Sequence, residues 1–301
     1  MTSIQTGILL RLLATGLFAA MTVCARLASF DAPVGQIVFF RAAVALVPIV
    51  GYMIWLGQFP HGLKTKRPMG HVKRNLYGCV ATFLSFLSLA YLPLALAAAL
   101  GFLAPMLVVP LAIIFLGERP GWIVAGATVA GFAGVALMLA PAFEGPSLDS
   151  GMVIGVAAGF AMAVTTAASK VQIKSLSETE TAGAIAFYFA LVCAIAGLLT
   201  WPFGWSAASG STLSYLIGAG VFGGFAHIAM NEALARAPAS TLSPFEYTAM
   251  IWALAFDVVI FSLLPDVLSL IGAFVIVGAA AVVAFADRIV ASLARRRAAI
   301  S

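Results

Sequence analysis

Residues 89–105 read LAYLPLALAAALGFLAP, and residues 234–250 read LARAPASTLSPFEYTAM. Each stretch opens with Leu-Ala and carries a proline four residues after that leucine, Pro93 in the first and Pro238 in the second. A run of small residues and an apolar segment with an aromatic ring follow each proline. Because the chain has 301 residues, a repeat at a distance of 145 residues indicates that its two halves are copies of one unit.

The composition excludes an ordinary soluble domain. The chain is 63% hydrophobic and only 9% charged, whereas soluble domains carry about 25% charged residues. Apolar stretches of about 20 residues recur along its length, and each is long enough to cross a hydrocarbon core as a helix. These stretches are continuous rather than alternating, which favours helices over a barrel. The sequence therefore predicts an all-α membrane protein.

Ten transmembrane spans result when the apolar stretches are divided at charged, proline or glycine clusters. Their approximate limits are 7–28, 34–57, 75–92, 94–117, 121–141, 151–172, 180–203, 212–235, 239–264 and 267–288. Of the 16 basic residues, 13 lie on one side, in loops, at span ends or in the C-terminal tail. Cytoplasmic loops carry such an excess, so we expect both termini to be cytoplasmic in a bacterial inner membrane. The net charge of +5 follows from this topology and indicates no nucleic-acid partner.

The repeat has a further consequence, because an odd number of spans in each half gives the two halves opposite orientations. Two more pairs of stretches align in the same order, namely 7–27 with 151–171 and 126–137 with 272–283. We therefore expect two inverted five-helix repeats around a central cavity, residues 1–145 and residues 146–301, the second with a short basic tail. Such repeats are typical of alternating-access transporters.

Three stretches resemble the EamA-type drug/metabolite transporters: FFRAAVALVPIV (39–50), ALGFLAPMLVVPLAIIFLGE (99–118) and LARAPASTLSPFEYTAMIWAL (234–254). The resemblance covers essentially the whole chain, although the second half ends span 9 with SLLPD instead of Leu-Gly-Glu. It implies a ten-helix bundle whose cavity is lined mainly by spans 1, 3, 4, 6, 8 and 9. It also implies export of small metabolites, and one branch of the family exports aromatic amino acids.

Arg41 and Asp257 are among the charged residues inside spans, where an ionisable side chain costs at least ~2.5 kcal/mol and is a functional hypothesis by default. Arg41 lies about seven residues into span 2, or ~10 Å deep. It is expected either to attract a substrate carboxylate or to have a gating or structural role. Asp257 lies at a similar depth in span 9, which allows an Arg41–Asp257 pair.

Span 8 carries a polar group in the sequence HIAMNEALAR. His227 and Asn231 are four residues apart and share a helix face. His227 is either a buried hydrogen-bonded histidine or a cavity-lining, proton-handling one. Glu232 and Arg236 have the spacing of an intrahelical ion pair.

Span 9 carries the densest polar and aromatic cluster, in the sequence SPFEYTAMIW. Pro244 removes a backbone donor and loosens the first turns. Glu246 is expected either to bind a substrate ammonium or a proton, or to pair with Arg236 or another basic residue. Tyr247 and Trp252 add amphipathic rings.

Neutral hydroxyls and one proline complete the candidates. Thr82, Ser85 and Thr166 supply hydrogen-bonding groups in spans 3 and 6, although most such hydroxyls bond to carbonyls of their own helix. Pro105 breaks span 4 and aligns with Met250, so this hinge has no counterpart in the second half.

These observations predict a secondary transporter that exports small amphipathic metabolites, including aromatic and other amino acids, by alternating access. Its partners are a small-molecule substrate, the lipid bilayer and, if transport is coupled, protons. The sequence contains no motif for nucleotide hydrolysis, metal binding or catalysis, so we expect no enzyme activity, cofactor or metal. Two alternatives remain: a transporter of drugs or nucleotide-like metabolites, and a membrane scaffold or enzyme that transports nothing.

Overall fold

The computed structural model describes residues 3–104, 106–107, 122–143, 150–176, 180–237, 242 and 245–285. Within these residues the chain forms ten α-helices, two short 3-10 helices and no β-strand. In chain order the α-helices are α1 (Ser3–Ala28), α2 (Val34–Trp55), α3 (Pro68–Tyr91), α4 (Leu94–Gly101), α5 (Trp122–Phe143), α6 (Ser150–Leu176), α7 (Ala182–Leu198), α8 (Gly210–Arg236), α9 (Thr248–Phe261) and α10 (Val267–Ala284). Each predicted span thus contains one of these helices, and the all-α prediction is confirmed. Further helical residues lie in span 4 at 103–104 and 106–107 and in span 9 at 242 and 245–246.

The polarity of the bundle suits a membrane. By length and composition, α1, α2, α6 and α8 are each apolar enough to cross a bilayer. Large apolar side chains cover the outer surface, and Trp122, Val259 and Phe274 are more than three-quarters exposed. Charged side chains such as Arg41 and Asp257 are instead buried inside. This distribution places apolar groups against lipid and polar groups against one another.

The pairing of helices between the two halves shows the inverted repeat. If α1–α5 correspond to α6–α10, the packing of α1 on α8 corresponds to that of α6 on α3, and both contacts are present. Likewise α1 packs on α9 and α6 on α4. The packing of α2 on α8 likewise corresponds to that of α7 on α3. Three further pairs join a helix to its own counterpart: α2 to α7, α4 to α9 and α5 to α10. The prediction of two inverted five-helix repeats is confirmed.

Close backbone contact stabilises one of these self-paired interfaces. A Cβ atom added to Gly272 of α10 would lie only 2.6 Å from the carbonyl oxygen of Gly134 in α5. Only glycine permits two helices to approach this closely, which is how small residues join helices in lipid.

The helix α3 begins several residues before the span predicted for it. α3 starts at Pro68 rather than near residue 75. Proline suits the first helical turn, because its missing N–H would have no intrahelical partner there. The earlier start places Arg74, which the sequence assigned to a loop, inside α3, where its side chain is buried.

Candidate substrate cavity

The described helices border two adjoining open hollows between the repeats. The first, called the polar lobe here, has a volume of about 300 Å³. The second, the apolar lobe, has a volume of about 250 Å³. Ser85 of α3 and Met162 of α6 line both hollows and therefore lie at the boundary between them, which is called the neck here. The two lobes together are the central cavity that the sequence predicted.

The two lobes differ in chemistry. The polar lobe carries the polar side chains Arg41, Arg74, Thr82, Ser85, Thr166 and Ser169. The walls of the apolar lobe are mostly apolar, with Phe18, Leu89, Leu94, Ala97, Ala98, Ala249 and Ala253 among them. Its polar groups are the hydroxyls of Thr15, Thr22 and Ser85, and no charged side chain lines it among the described residues. Among the described residues that line either lobe there is no Asp or Glu. A solute with one polar and one apolar end would match this arrangement.

The lining differs in one respect from what the family resemblance implied. No described residue of α8 lines either lobe, while α2 and α7 contribute Arg41 and Phe189. The physical reason is that α1 packs along the length of α8 and covers it. Gly223 of α8 lies so close to α1 that an added Cβ would be 2.9 Å from Met21 Sδ.

Arg41 extends from α2 into the wall of the polar lobe. Its Nη2 lies 3.2 Å from His227 Nε2, and its Nε lies 3.5 Å from Met21 Sδ. A guanidinium only donates hydrogen bonds, so His227 accepts through Nε2 and is uncharged in this contact. The suggested Arg41–Asp257 pair is wrong, because Asp257 is bonded elsewhere.

Arg74 is the cavity residue that sequence reasoning missed. Its Cζ lies 4.0 Å above the centre of the Phe189 ring, and its Nη1 donates to Asn75 Oδ1 at 3.2 Å. A signal was available in the sequence, since Arg74, Gly78, Thr82 and Ser85 follow each other at helical spacing. That spacing puts them on one face of α3, which faces the polar lobe.

The predicted hydroxyls are in the cavity wall. Thr82, Ser85 and Thr166 all line the polar lobe. Thr82 Oγ1 also donates to the carbonyl oxygen of Gly78 at 2.9 Å, the intrahelical bond that such residues commonly make. Its lone pairs remain free to accept a hydrogen bond.

Asp257 has a structural contact outside both lobes. Its two carboxylate oxygens accept hydrogen bonds from the backbone N–H groups of Leu94 at 2.9 Å and Ala95 at 2.6 Å. It therefore caps the first turn of α4, where a negative charge is favourable.

The three span-9 candidates also lie outside both lobes. Glu246 forms an ion pair with Arg11 of α1, which is one of the predicted alternatives, a basic partner other than Arg236. The Tyr247 ring packs against Phe102 with centroids 5.8 Å apart. The Trp252 indole stacks on Phe256 at 6.1 Å.

Two of the span-8 candidates lie beside a separate hollow of about 140 Å³ between α2, α7 and α8. His227 and Glu232 line it, together with Tyr52. Glu232 accepts a hydrogen bond from Tyr52 and pairs with Arg236, as its spacing predicted. The side chain of Asn231, and Pro105 and Pro244, lie outside the described residues.

A hydrogen-bonded contact joins the segment before α3 to the segment before α7, at the end of the bundle that carries the basic loops. Glu180, just before α7, accepts from Thr65 Oγ1 at 3.0 Å and from the backbone N–H of Lys66 at 2.9 Å. Its other oxygen lies 3.6 Å from His71 Nε2. Burial alone would raise the pKa of Glu180, but these bonds outweigh it and hold the pKa below its usual value.

Comparison with known proteins identifies the family. The model of the EamA-like transporter family matches twice, at residues 5–140 and 149–285. The pseudopaline exporter CntI of Pseudomonas aeruginosa is 28% identical over 281 residues, covering 91% of this chain and 94% of that protein. An S-adenosylmethionine uptake transporter of Rickettsia felis is 28% identical over 266 residues, covering 87% and 85%. A riboflavin transporter of Vibrio cholerae is 28% identical over 237 residues, covering 77% of each.

A crystal structure shows the same fold. It matches with a TM-score of 0.68 at 20% identity and covers 95% of this chain and 99% of that chain. The family and these relatives are transporters rather than enzymes, and their substrates are small molecules. Two family matches, ten helices in inverted repeats and a cavity between them lead to one conclusion: the chain belongs to the EamA-like transporter family.

Proposed function

We propose that this protein exports small amphipathic metabolites, amino acids and aromatic amino acids among them, across a bacterial inner membrane by alternating access. The observation that carries this proposal is the two-lobed cavity between the repeats. An amino acid with an apolar side chain has a charged end that suits the polar lobe and a tail that suits the apolar lobe.

The repeats supply the moving parts in this proposal. Residues 1–145 and 146–301 are the two units that rock against each other, with both termini in the cytoplasm. The excess of basic residues at one end of the bundle supports this orientation. The relatives do not agree on the direction of transport, because one is named an exporter and another an uptake transporter. The proposed export therefore rests on the family resemblance.

The relatives support a polar metabolite as cargo without defining it. Pseudopaline, S-adenosylmethionine and riboflavin are named as their substrates, and the identities are all 28%. A drug or nucleotide-like metabolite is therefore the competing cargo, and it enters the same experiment as a competitor.

Counterflow in proteoliposomes tests the proposal. Vesicles with purified protein are loaded with one unlabelled amino acid, and uptake of labelled L-phenylalanine is followed with and without a pH gradient. Ser85→Trp fills the neck between the lobes and should abolish counterflow, while Ser214→Trp on the exposed face of α8 should not. Absence of counterflow for every amino acid would reject the proposed cargo. Dependence on the pH gradient would add protons as a partner.

A further inference from the structure

Two arginines in the polar lobe differ from the other arginines whose contacts the structure describes. Arg41 and Arg74 are each more than nine-tenths buried, and both lie over the ring of Phe189. The distances from Cζ to the ring centre are 5.8 Å for Arg41 and 4.0 Å for Arg74. The two guanidiniums are also near enough to repel each other.

Most other arginines in the described residues have strong oxygen acceptors. Arg11 pairs with Glu246, Arg236 pairs with Glu232, and Arg26 donates to a backbone carbonyl at 2.6 Å. Arg11 and Arg236 thus each have an opposite charge beside them, and Arg26 has a carbonyl acceptor, although Arg11 Nε, like Arg74 Nε, is buried without a hydrogen bond in the described part of the chain.

Arg41 and Arg74 have no carboxylate partner within the described part of the chain. Their contacts there are a thioether, an imidazole and one side-chain amide. The Nε of Arg74 is buried and makes no hydrogen bond in that part of the chain. A guanidinium has five N–H donors and keeps its charge, so two such groups at a low-dielectric cavity favour an anion between them.

We propose that Arg41 and Arg74 form a subsite for a carboxylate of the transported solute. This inference rests on the proposed function and deepens it by naming the group that is recognised. Phe189 packs beneath both guanidiniums, and the bond from Arg41 to His227 fixes the direction of the first. Gly78 leaves room for this arrangement, since an added Cβ would lie 2.9 Å from the Phe189 ring.

The same site makes the ammonium group of an amino acid dispensable. No acidic side chain lines either lobe among the described residues, so the described part of the wall offers no opposite charge to an amine. The substrate class is therefore carboxylic acids with an apolar tail, which includes amino acids but also their hydroxy-acid analogues. Amines without a carboxylate fall outside it.

Four probes of similar shape test the subsite by competition with labelled L-phenylalanine for the purified protein in lipid nanodiscs. They are L-phenylalanine, phenyllactate, L-phenylalaninamide and phenethylamine. We expect phenyllactate to compete within about threefold of L-phenylalanine, and the two probes without a carboxylate to be about 10- to 100-fold weaker, as for loss of charged hydrogen bonds. Competition by phenethylamine equal to that by phenyllactate would overturn the proposal.

Substitutions test whether the two arginines cause the preference for probes with a carboxylate. Arg41→Gln and Arg74→Gln should each lose most of the preference for phenyllactate over phenethylamine. Lys73→Gln removes a positive charge from the exposed face of the same helix and should retain it. Arg74→Lys keeps the charge and should retain part of the preference. Full preference in folded Arg41→Gln and Arg74→Gln proteins would contradict the assignment.

Thermal unfolding tests the carboxylate subsite independently of the proposed transport function, because the measurement requires no transport. Benzoate should raise the unfolding midpoint of the wild-type protein more than benzamide does, and this difference should disappear in Arg74→Gln. If benzoate stabilises but no amino acid is transported, the subsite stands and the proposed function fails. If L-phenylalanine is transported but carboxylates show no advantage by either method, the subsite fails alone.

Discussion

The carboxylate of Asp257 on α9 caps α4 by accepting the backbone N–H of Ala95 at 2.6 Å. Its other oxygen accepts the N–H of Leu94. One residue of the second repeat thus satisfies two donors of the first, at the end of the bundle opposite the basic loops. The first N–H groups of a helix have no intrahelical acceptor, so a buried helix start requires such a partner.

Removal of this cap should destabilise the protein. We expect Asp257→Ala to lower the free energy of unfolding by about 1–2 kcal/mol, because the two N–H groups lose their acceptors. Asp257→Asn should cost less, since the amide keeps one oxygen. Thermal unfolding in detergent measures both. Asp266 caps α10 at an exposed position and provides the control, so Asp266→Ala should lower the free energy of unfolding less. Equal losses for Asp266→Ala and Asp257→Ala would show that burial does not strengthen the Asp257 cap.

Glu180 should make stability depend on pH. Its pKa is lower in the folded protein than the usual value for glutamate, so the folded state favours the charged form. The resulting stabilisation is complete above the unfolded-state pKa, about 4.3, and is lost as the pH falls through the folded-state value. Glu180→Gln should therefore unfold at a lower temperature than wild type at pH 7.

The difference between wild type and Glu180→Gln should shrink as the pH falls below about 4.3. Thr65→Val, which removes a single donor to Glu180, should show a smaller loss at pH 7. A constant difference between wild type and Glu180→Gln from pH 7 to pH 3 would be inconsistent with the contact described above.

The ion pair between Arg11 and Glu246 predicts a result for proton coupling. Because Glu246 lies outside both lobes and is paired with Arg11, we expect Glu246→Gln to leave any pH-gradient dependence of transport unchanged. Flux into proteoliposomes at several imposed gradients measures this. Loss of the gradient dependence in Glu246→Gln, with transport otherwise intact, would make Glu246 the proton carrier instead.

Met162 should limit the size of the solute. Its side chain lines both lobes, so Met162→Ala widens the neck between them. We expect this variant to accept bulkier apolar tails, with L-tryptophan gaining several-fold over L-phenylalanine as a competitor. Met152→Ala changes the same residue type on the same helix beside a different hollow and should not alter the ratio. If the ratio of L-tryptophan to L-phenylalanine competition is unchanged in both variants, Met162 does not limit the size of the solute.

The candidate site was partly readable from the sequence. Arg41, Thr82, Ser85 and Thr166 were identified as polar groups inside spans, and the structure places them at the polar lobe. Arg74 was missed because the predicted span began at residue 75, although its helical spacing with Thr82 and Ser85 was visible. Glu246, Tyr247 and Trp252 were clustered in the sequence, yet each side chain leaves α9 toward a different neighbour.

The sequence by itself determined the helices, their number and their inverted duplication. Span length, apolar composition, loop charge and the repeat of Pro93 at Pro238 are local properties of the chain, so each can be read without knowing any neighbour. Only the tertiary structure decided which buried charges are satisfied by the protein and which face the cavity. Asp257 and Arg41 have similar depths and similar apolar surroundings in sequence. Their roles differ because packing against distant segments sets the rotation of each helix about its axis. That rotation determines which partners its side chains reach.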